Sequence, residues 1–509
     1  MPKLTLSMIV KNEAKHLSEC LNSVRDVADE IVIVDTGSND KTVEIAKSFG
    51  AKIYNYKWIN DFSAARNFAL YQSTGDFILY LDADERLDGK SIPEIKKILA
   101  SDRKAAYYCT VKSYDTGGGR DTSMRYTRIF PNYKGLAFKG KVHEQIVQSL
   151  VENGIKLIQS EVLIHHYGYD VSSDDKKAKA KRNLSLLLEE NKKNNSSYIT
   201  FQLGQTYDIL EDGENAVKNF KIAGESCKLE KQHRGICFTS LALHLHKNHQ
   251  IAEAENYINR SLNIDDKQPF AYLLASKIAL RKSEYNKAEE ACKRAYMINK
   301  ELSVKGHKSP LAIILNPEEI IYFGLLMALQ NRNNANIQYY QKILFSYYRE
   351  QCPQTEARRI VLIQKLLSKS SLLPEEIEVL ADMCSPVNLD FIVFTSEGNP
   401  SKHQILLIAE TLLKKNPDSI ELRKLKAKAL DELGEVEKAV LEMEKIIRDE
   451  DRDPALYFYL ISYYIKLGRM DDIEPIVQII DKYFSDIPDV VTRITPLKNA
   501  IQTLSKVRQ

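Results

Sequence analysis

The sequence predicts an N-terminal α/β domain with a Rossmann-like, mostly parallel sheet over residues 1–170, followed by an all-α helical solenoid. Three observations predict it. Up to residue 170, short β-branched runs alternate with stretches of helical apolar spacing, the pattern of strands buried on both faces and joined by helices. Beyond residue 170 the strand signal nearly vanishes. A repeat of helical hairpins then sets in, with Ala254 and Ala288 standing 34 residues apart.

In chain order, the expected strands are Leu4–Val10, Glu30–Val34, Ala51–Tyr56 and Asp76–Leu81. Between them lie expected helices at Ala14–Val24, Lys41–Phe49 and Ser63–Tyr71. Further strand-like runs follow at Ala105–Ser113, Met124–Phe130, Phe138–Ile146 and Glu161–His166. Residues 171–197 read as a charged helical connector. In residues 198–300, Leu203, Gly204, Tyr207, Ala216, Phe220 and Ala223 take the offsets of a tetratricopeptide repeat. Ala242, Leu245, Ala254, Ile258 and Ser261 repeat them, as do Tyr272, Ala275, Ala279, Ala288, Cys292 and Ala295. Residues 301–400 are helical in texture without the repeat. It returns over 401–509 with Ala427, Leu430, Gly434, Ala439, Met443 and Ile446, and more weakly with Leu460, Tyr464, Gly468, Ile473 and Val477. Small residues at these offsets let paired helices approach closely and bury each unit against the next.

Composition narrows the function. At 509 residues, 44% hydrophobic and 28% charged, the chain can bury several cores. Its formal charge of +3 argues against a protein devoted to neutralising nucleic-acid phosphate. No run of 18 apolar residues predicts a transmembrane segment, and MPKLTLSMIVKNEA reads as a strand rather than a secretory leader. Seven scattered cysteines without a CxxC pair suit buried free thiols in a reducing cytoplasm.

Four clusters carry chemistry, all at the carboxyl ends of strands, where open α/β sheets build their sites. Asp35 closes the second strand ahead of Thr36-Gly37-Ser38-Asn39-Asp40 and can accept hydrogen bonds from a base or ribose; Asp40 reads as a helix cap. Asp61-Phe62-Ser63-Ala64-Ala65-Arg66-Asn67 opens a helix. Its Arg66 suits a diphosphate or a neighbouring carboxylate. Leu81-Asp82-Ala83-Asp84-Glu85 is the sharpest signal, because three acids at the end of a buried strand repel unless a cation shares them. Alternation turns Asp82 and Asp84 to one side, and hard carboxylate oxygens suit Mn2+ or Mg2+. Val142-His143-Glu144 and Ile164-His165-His166-Tyr167 add candidate metal ligands or bases.

Together these motifs resemble family 2 glycosyltransferases of the GT-A fold, over about residues 3–170. The resemblance rests on Met8-Ile9-Val10-Lys11-Asn12-Glu13, Asp61-Phe62-Ser63-Ala64-Ala65-Arg66-Asn67, Leu81-Asp82-Ala83-Asp84-Glu85 and Val142-His143-Glu144. With repeats appended, the chain is similar to bacterial enzymes that glycosylate peptides or proteins, S-glycosyltransferases of the sublancin type among them. The resemblance implies a UDP-sugar donor, a divalent metal (Mn2+ or Mg2+) and an inverting displacement. Asp35 would contact the uracil or ribose, Arg66 the base or diphosphate, and Asp82 the ribose or the metal shell. Asp84 would bind the ion with one of His165 and His166, His166 preferred. Glu144 would be the general base, with Glu85 and Asp115 as rivals. Gly117-Gly118-Gly119 reads as a mobile acceptor loop or a plain hairpin.

The repeats would bind a peptide or protein acceptor or join two subunits. Tyr257, Tyr272, Tyr285, Tyr296, Tyr457, Tyr463 and Tyr464 read mainly as packing residues. The alternatives are a tetratricopeptide scaffold with a vestigial catalytic domain, a saccharide acceptor, and a sugar nucleotidyltransferase. Lys11-Asn12-Glu13 does not supply the glycine-rich basic motif that the last would need.

Overall fold

The computed structural model describes residues 2–101, 104–114, 120–167, 173–194, 196–304, 311–351, 355–448, 454–484 and 490–499. The chain divides into two compact units, Met1–Ile320 and Ile321–Gln509.

The first unit is built on one sheet. Its strands are β1 (Leu4–Val10), β2 (Glu30–Asp35), β3 (Lys52–Asn55), β4 (Phe77–Tyr80), β5 (Glu85–Leu87), β6 (Ala105–Ser113), β7 (Arg120–Pro131), β8 (Lys156–His166) and β9 (Leu311–Leu315). They lie in the order β3-β2-β1-β4-β7-β6-β8-β5, with β9 paired to β7. The first four run parallel. Beyond them, β7 is antiparallel to β4 and β6, while β6 and β8 are parallel. Leu4, Leu6, Met8, Phe77, Leu79 and Leu81 are all fully buried, as continuous apolar strands require. The helices between strands are α1 (Leu17–Ser23), α2 (Thr42–Ser48), α3 (Phe62–Gln72), α4 (Ile92–Leu99) and α5 (Val147–Glu152).

Glu30 ties the parallel strands together at their amino ends. One carboxylate oxygen accepts from Lys52 Nζ at 2.6 Å and Thr74 Oγ1 at 2.8 Å; the other accepts from Thr5 Oγ1 at 2.5 Å and the Thr74 amide at 2.7 Å. Burial alone would raise this carboxyl, but these donors, Lys52 foremost, hold it down at about 2, against an ordinary 4.5. A group depressed in the folded state stabilises fully above its unfolded value and loses that contribution as pH falls through the folded one. Glu30→Gln is expected to cost about 1–2 kcal/mol at neutral pH. The gap from the parent, read by urea unfolding, should close as pH falls from 4.5 towards 2.

Two strands were not legible in the sequence. β5 has only three residues. β9 lies far from the rest of the domain in sequence, inside a region expected to be helical. Conversely, Phe138–Ile146 is not a strand: only Lys139 and Gln145 bridge, and α5 follows at once. The backbone there turns through the left-handed region at Gly140 (φ +102°) and His143 (φ +55°), which breaks an extended run. Asn67 holds the loop instead. Its amide donates to Phe138 O at 3.0 Å and its carbonyl accepts from the Phe138 amide at 2.7 Å.

A long helix, α6 (Ser173–Lys193), packs Leu186 and Leu187 against Val142 of that loop. Helical hairpins follow: α7 (Ser197–Ile209) with α8 (Gly213–Glu225), α9 (Lys231–Lys247) with α10 (Ile251–Ile264), and α11 (Pro269–Arg281) with α12 (Tyr285–Val304). Ala216, Ala223, Ala242, Ala254, Ala288, Cys292 and Ala295 are fully buried at the helix crossings. Gly204 shows why small residues matter: a Cβ there would stand 2.7 Å from the Phe220 ring.

The chain then returns to the sheet. β9 pairs with the first residues of β7, Leu315 opposite Arg120 and Leu311 opposite Met124. The buried Asn299 of α12 docks on its far side, donating to Leu315 O at 2.9 Å and accepting from the Leu315 amide at 2.8 Å. The side-chain amide thus stands in for a further strand.

The second unit is helical. Ala427, Leu430, Ala439, Met443, Ile446, Leu460, Tyr464, Ile473 and Val477, the repeat positions read from the sequence, share one core. Tyr457 and Tyr463 are buried in it too, as packing residues. Among the described residues, no helix is long and apolar enough to cross a membrane.

Candidate active site

The site forms at the carboxyl ends of β1, β2 and β4, where β5 and the ends of β6 and β8 extend past the parallel strands. β4 is buried throughout, and Leu81-Asp82-Ala83-Asp84 follows it. Leu81 and Ala83 are buried, while Asp82 and Asp84 keep access to solvent; the expected extended alternation gives way here to a turn, closed by the Glu85 amide donating to Asp82 O at 3.0 Å.

Asp82 faces two arginines. Arg66 Nη2 stands 2.7 Å from its Oδ1, and Arg128 Nη2 stands 3.8 Å from its Oδ2. Loss of water would raise the Asp82 carboxyl, but the two guanidiniums outweigh it and hold the group well below the usual carboxylate range. Arg66 reaches Glu144 with its Nε, so one buried guanidinium serves two acids. Arg128 pairs with Glu85 at 2.5 Å. The Tyr80 ring receives both cations on its π-system, Arg66 at 5.0 Å and Arg128 at 4.4 Å from the centroid.

Glu85 is 2% exposed and fully engaged, its second oxygen accepting from the Asp82 amide at 2.9 Å. Burial pushes its carboxyl up, against the pull of Arg128. Its two oxygens thus tie the turn after β4 to Arg128. Glu144 is 12% exposed and gives one oxygen, Oε1, to Arg66. Its loop is fixed to α3 by the Asn67 bonds and by the Phe62 amide, which donates to Lys141 O at 2.9 Å.

The two histidines of β8 point to opposite faces. His165 is bound at both ring nitrogens, with Tyr114 Oη 2.7 Å from Nδ1 and Asp88 Oδ2 2.9 Å from Nε2. His166 lies on the Asp84 side, its Nε2 3.3 Å from Asp84 Oδ2 and its Nδ1 2.9 Å from Ser113 Oγ. Burial would lower the His166 imidazole, but the hydrogen bond and charge of Asp84 raise it.

Asp35, at the end of β2, is buried, and its carboxylate accepts from the amides of Gly37 and Ser38 at 3.1–3.3 Å. Gly37 takes φ +109° to make that turn. Asp40 binds Thr42 and the Ala14 amide, and Asp61 caps α3 by accepting from the Ala64 amide at 2.9 Å. Asp115 and Gly117-Gly118-Gly119 lie outside the described residues.

Nothing in the local sequence assigns a role to Arg128, Tyr80, Ser113 or Glu13. Arg128 had a signal: an arginine inside an otherwise buried strand implies an acid partner. Glu13 follows β1, and burial, then the charge of Asp84, pushes its carboxyl up to about 7. The proximity of Glu13 to Asp84 is tertiary, and no local pattern encodes it.

Comparison with known proteins gives the arrangement a family. The model of "Glycosyl transferase family 2" matches residues 5–163. A TPR repeat-containing protein of Synechococcus elongatus is 40% identical over 179 residues, 33% of this chain and 43% of the relative. The SPbeta prophage-derived glycosyltransferase SunS of Bacillus subtilis is 32% identical over 230 residues, 43% of this chain and 53% of the relative. The chain thus spans about half the length of these curated relatives. Among solved structures, a tetratricopeptide repeat protein from Parabacteroides merdae aligns with a TM-score of 0.36 at 12% identity, over 58% of this chain and 98% of its own. Residues 5–163 thus match the family 2 glycosyltransferase model, in a chain whose following helices pair as hairpins with small residues at their crossings.

Proposed function

We propose that the protein transfers a sugar from a UDP donor, with a divalent cation, to a peptide or protein side chain, with inversion at the anomeric carbon. One observation carries the metal-dependent part: Asp84 Oδ2, in the turn between β4 and β5, and His166 Nε2, at the end of β8, stand 3.3 Å apart. Two donors each about 2.1 Å from one ion, at right angles, are about 3.0 Å apart, so the pair fits adjacent ligands of Mn2+ or Mg2+. No group of three or more His, Cys, Asp or Glu side chains among the described residues could hold an ion by itself. Asp84 and His166 would therefore bind it together with the donor diphosphate, as magnesium-type ions usually are bound. The ion supplies charge stabilisation on the leaving diphosphate.

The remaining roles fall to the chain's own groups. Asp35 would receive the nucleoside at the end of β2. Arg66 is committed to Asp82 and Glu144, so it would shape the site by orienting both carboxylates rather than by gripping phosphate. Glu144 would take the acceptor proton through Oε2, since Arg66 holds Oε1; Glu85 is too enclosed for that task. The peptide acceptor is favoured by the likeness to SunS and by the helical hairpins, whose packing suits an extended surface.

The test is nucleotide release from UDP-, GDP- and dTDP-sugars with Mn2+, Mg2+ or EDTA. Metal-dependent UDP release from one donor is the expected result. Release that survives EDTA would overturn the metal, and no binding of any nucleotide sugar in calorimetry would overturn the activity.

A further inference from the structure

The Asp84–His166 pair has a neighbour outside the catalytic motifs. A histidine binds a cation through a lone pair, and a neutral imidazole carries one proton to place on either nitrogen. For Nε2 of His166 to offer its lone pair beside Asp84, the proton must sit on Nδ1. There the structure provides an acceptor: Ser113 Oγ, at 2.9 Å. Ser113 and His166 are registered partners on the parallel strands β6 and β8, so their side chains emerge on the same face of the sheet.

The neighbouring residue pair shows the contrast. Lys112 and His165 are the preceding partners and emerge on the other face. His165 has both nitrogens occupied there, by Tyr114 and Asp88. That arrangement fixes the end of β8 and keeps His165 from competing as a ligand. The strand end is further tied by the Tyr114 amide donating to His166 O at 3.3 Å and the Tyr167 amide donating to Asp84 O at 3.0 Å.

We propose that Ser113 is the positioning residue of the metal site: its hydroxyl accepts the Nδ1 proton of His166 and so presents Nε2, together with Asp84, to a divalent cation. The inference rests on the metal-dependent reading above and deepens it. Hydrogen-bond partners of this kind commonly change metal affinity by about 10–100-fold when removed.

The test is Mn2+ titration of the full chain in the presence of UDP, with free Mn2+ read by electron paramagnetic resonance. Ser113→Ala is expected to weaken Mn2+ binding about 10–100-fold. Ser113→Thr, which keeps the hydroxyl, should restore near-parental affinity. If the alanine variant does not fold, Ser113→Cys replaces it, since a thiol is a weak acceptor in a similar volume. Asp84→Ala serves as the control. Loss of binding in Asp84→Ala with unchanged affinity in Ser113→Ala or Ser113→Cys would overturn the role of Ser113 and leave the metal reading standing. Equal loss in the alanine and threonine variants would reduce Ser113 to strand packing. Absence of Mn2+ binding by the parent chain would overturn both.

Discussion

Asp84→Ala is expected to lower metal-dependent sugar transfer by at least about a thousandfold, some 4 kcal/mol of transition-state stabilisation. The fold should survive. The Asp84 side chain is 20% exposed and pairs with His166, while the hydrogen bond from the Tyr167 amide goes to the Asp84 backbone carbonyl. Replacing the side chain leaves that backbone bond in place and opens no large cavity. Thermal unfolding should therefore shift little while turnover collapses. Transfer at the parental rate would remove the Asp84–His166 pair from the mechanism.

Arg66→Ala should do the opposite to the balance of effects, costing stability as well as rate. The arginine is buried, ion-paired to Asp82 and Glu144, and stacked against Tyr80. Removing it leaves two carboxylates without their shared cation beside a third, Glu85. Breaking a buried pair in this way typically costs about 3–5 kcal/mol. Arg66→Lys keeps the charge but has no planar fork to serve two acids, so it should recover only part of the loss. Urea unfolding of the three proteins checks the order. Were Arg66 a diphosphate ligand only, its removal would raise the donor KM and leave unfolding unchanged. The two measurements separate these roles cleanly.

Much of this architecture was legible because it is local. The parallel strands announce themselves as apolar runs, and β1 begins and ends where its run of apolar residues does, at Leu4 and Val10. Asp82 and Asp84 follow from a buried strand that ends in acids. What the sequence hides is pairing at a distance. Arg66 lies 78 positions from Glu144, and nothing in either neighbourhood names the other. The same holds for Arg128 and Glu85, and for Ser113 and His166. The expected strand over Phe138–Ile146 failed for a related reason: its apolar residues face α3 and α6 from a loop, and that loop is held by Asn67 and by packing that lies elsewhere in the chain.

The return of β9 to the sheet sets a clock on biosynthesis. Met124 leaves the ribosome long before its partner Leu311, 187 residues downstream. At about 5–20 residues per second, the free edge of β7 waits on the order of 10–40 s for its last neighbour. Through that interval the nascent chain exposes unpaired amide and carbonyl groups, a template for the wrong strand or for another nascent chain. The helical hairpins between are made first and can fold while the edge is open. Asn299, on the last of them, can then receive Leu315 as it emerges. Slow decoding or an early stop anywhere between residues 131 and 311 would leave the domain with its edge bare, a form suited to recognition by quality-control machinery.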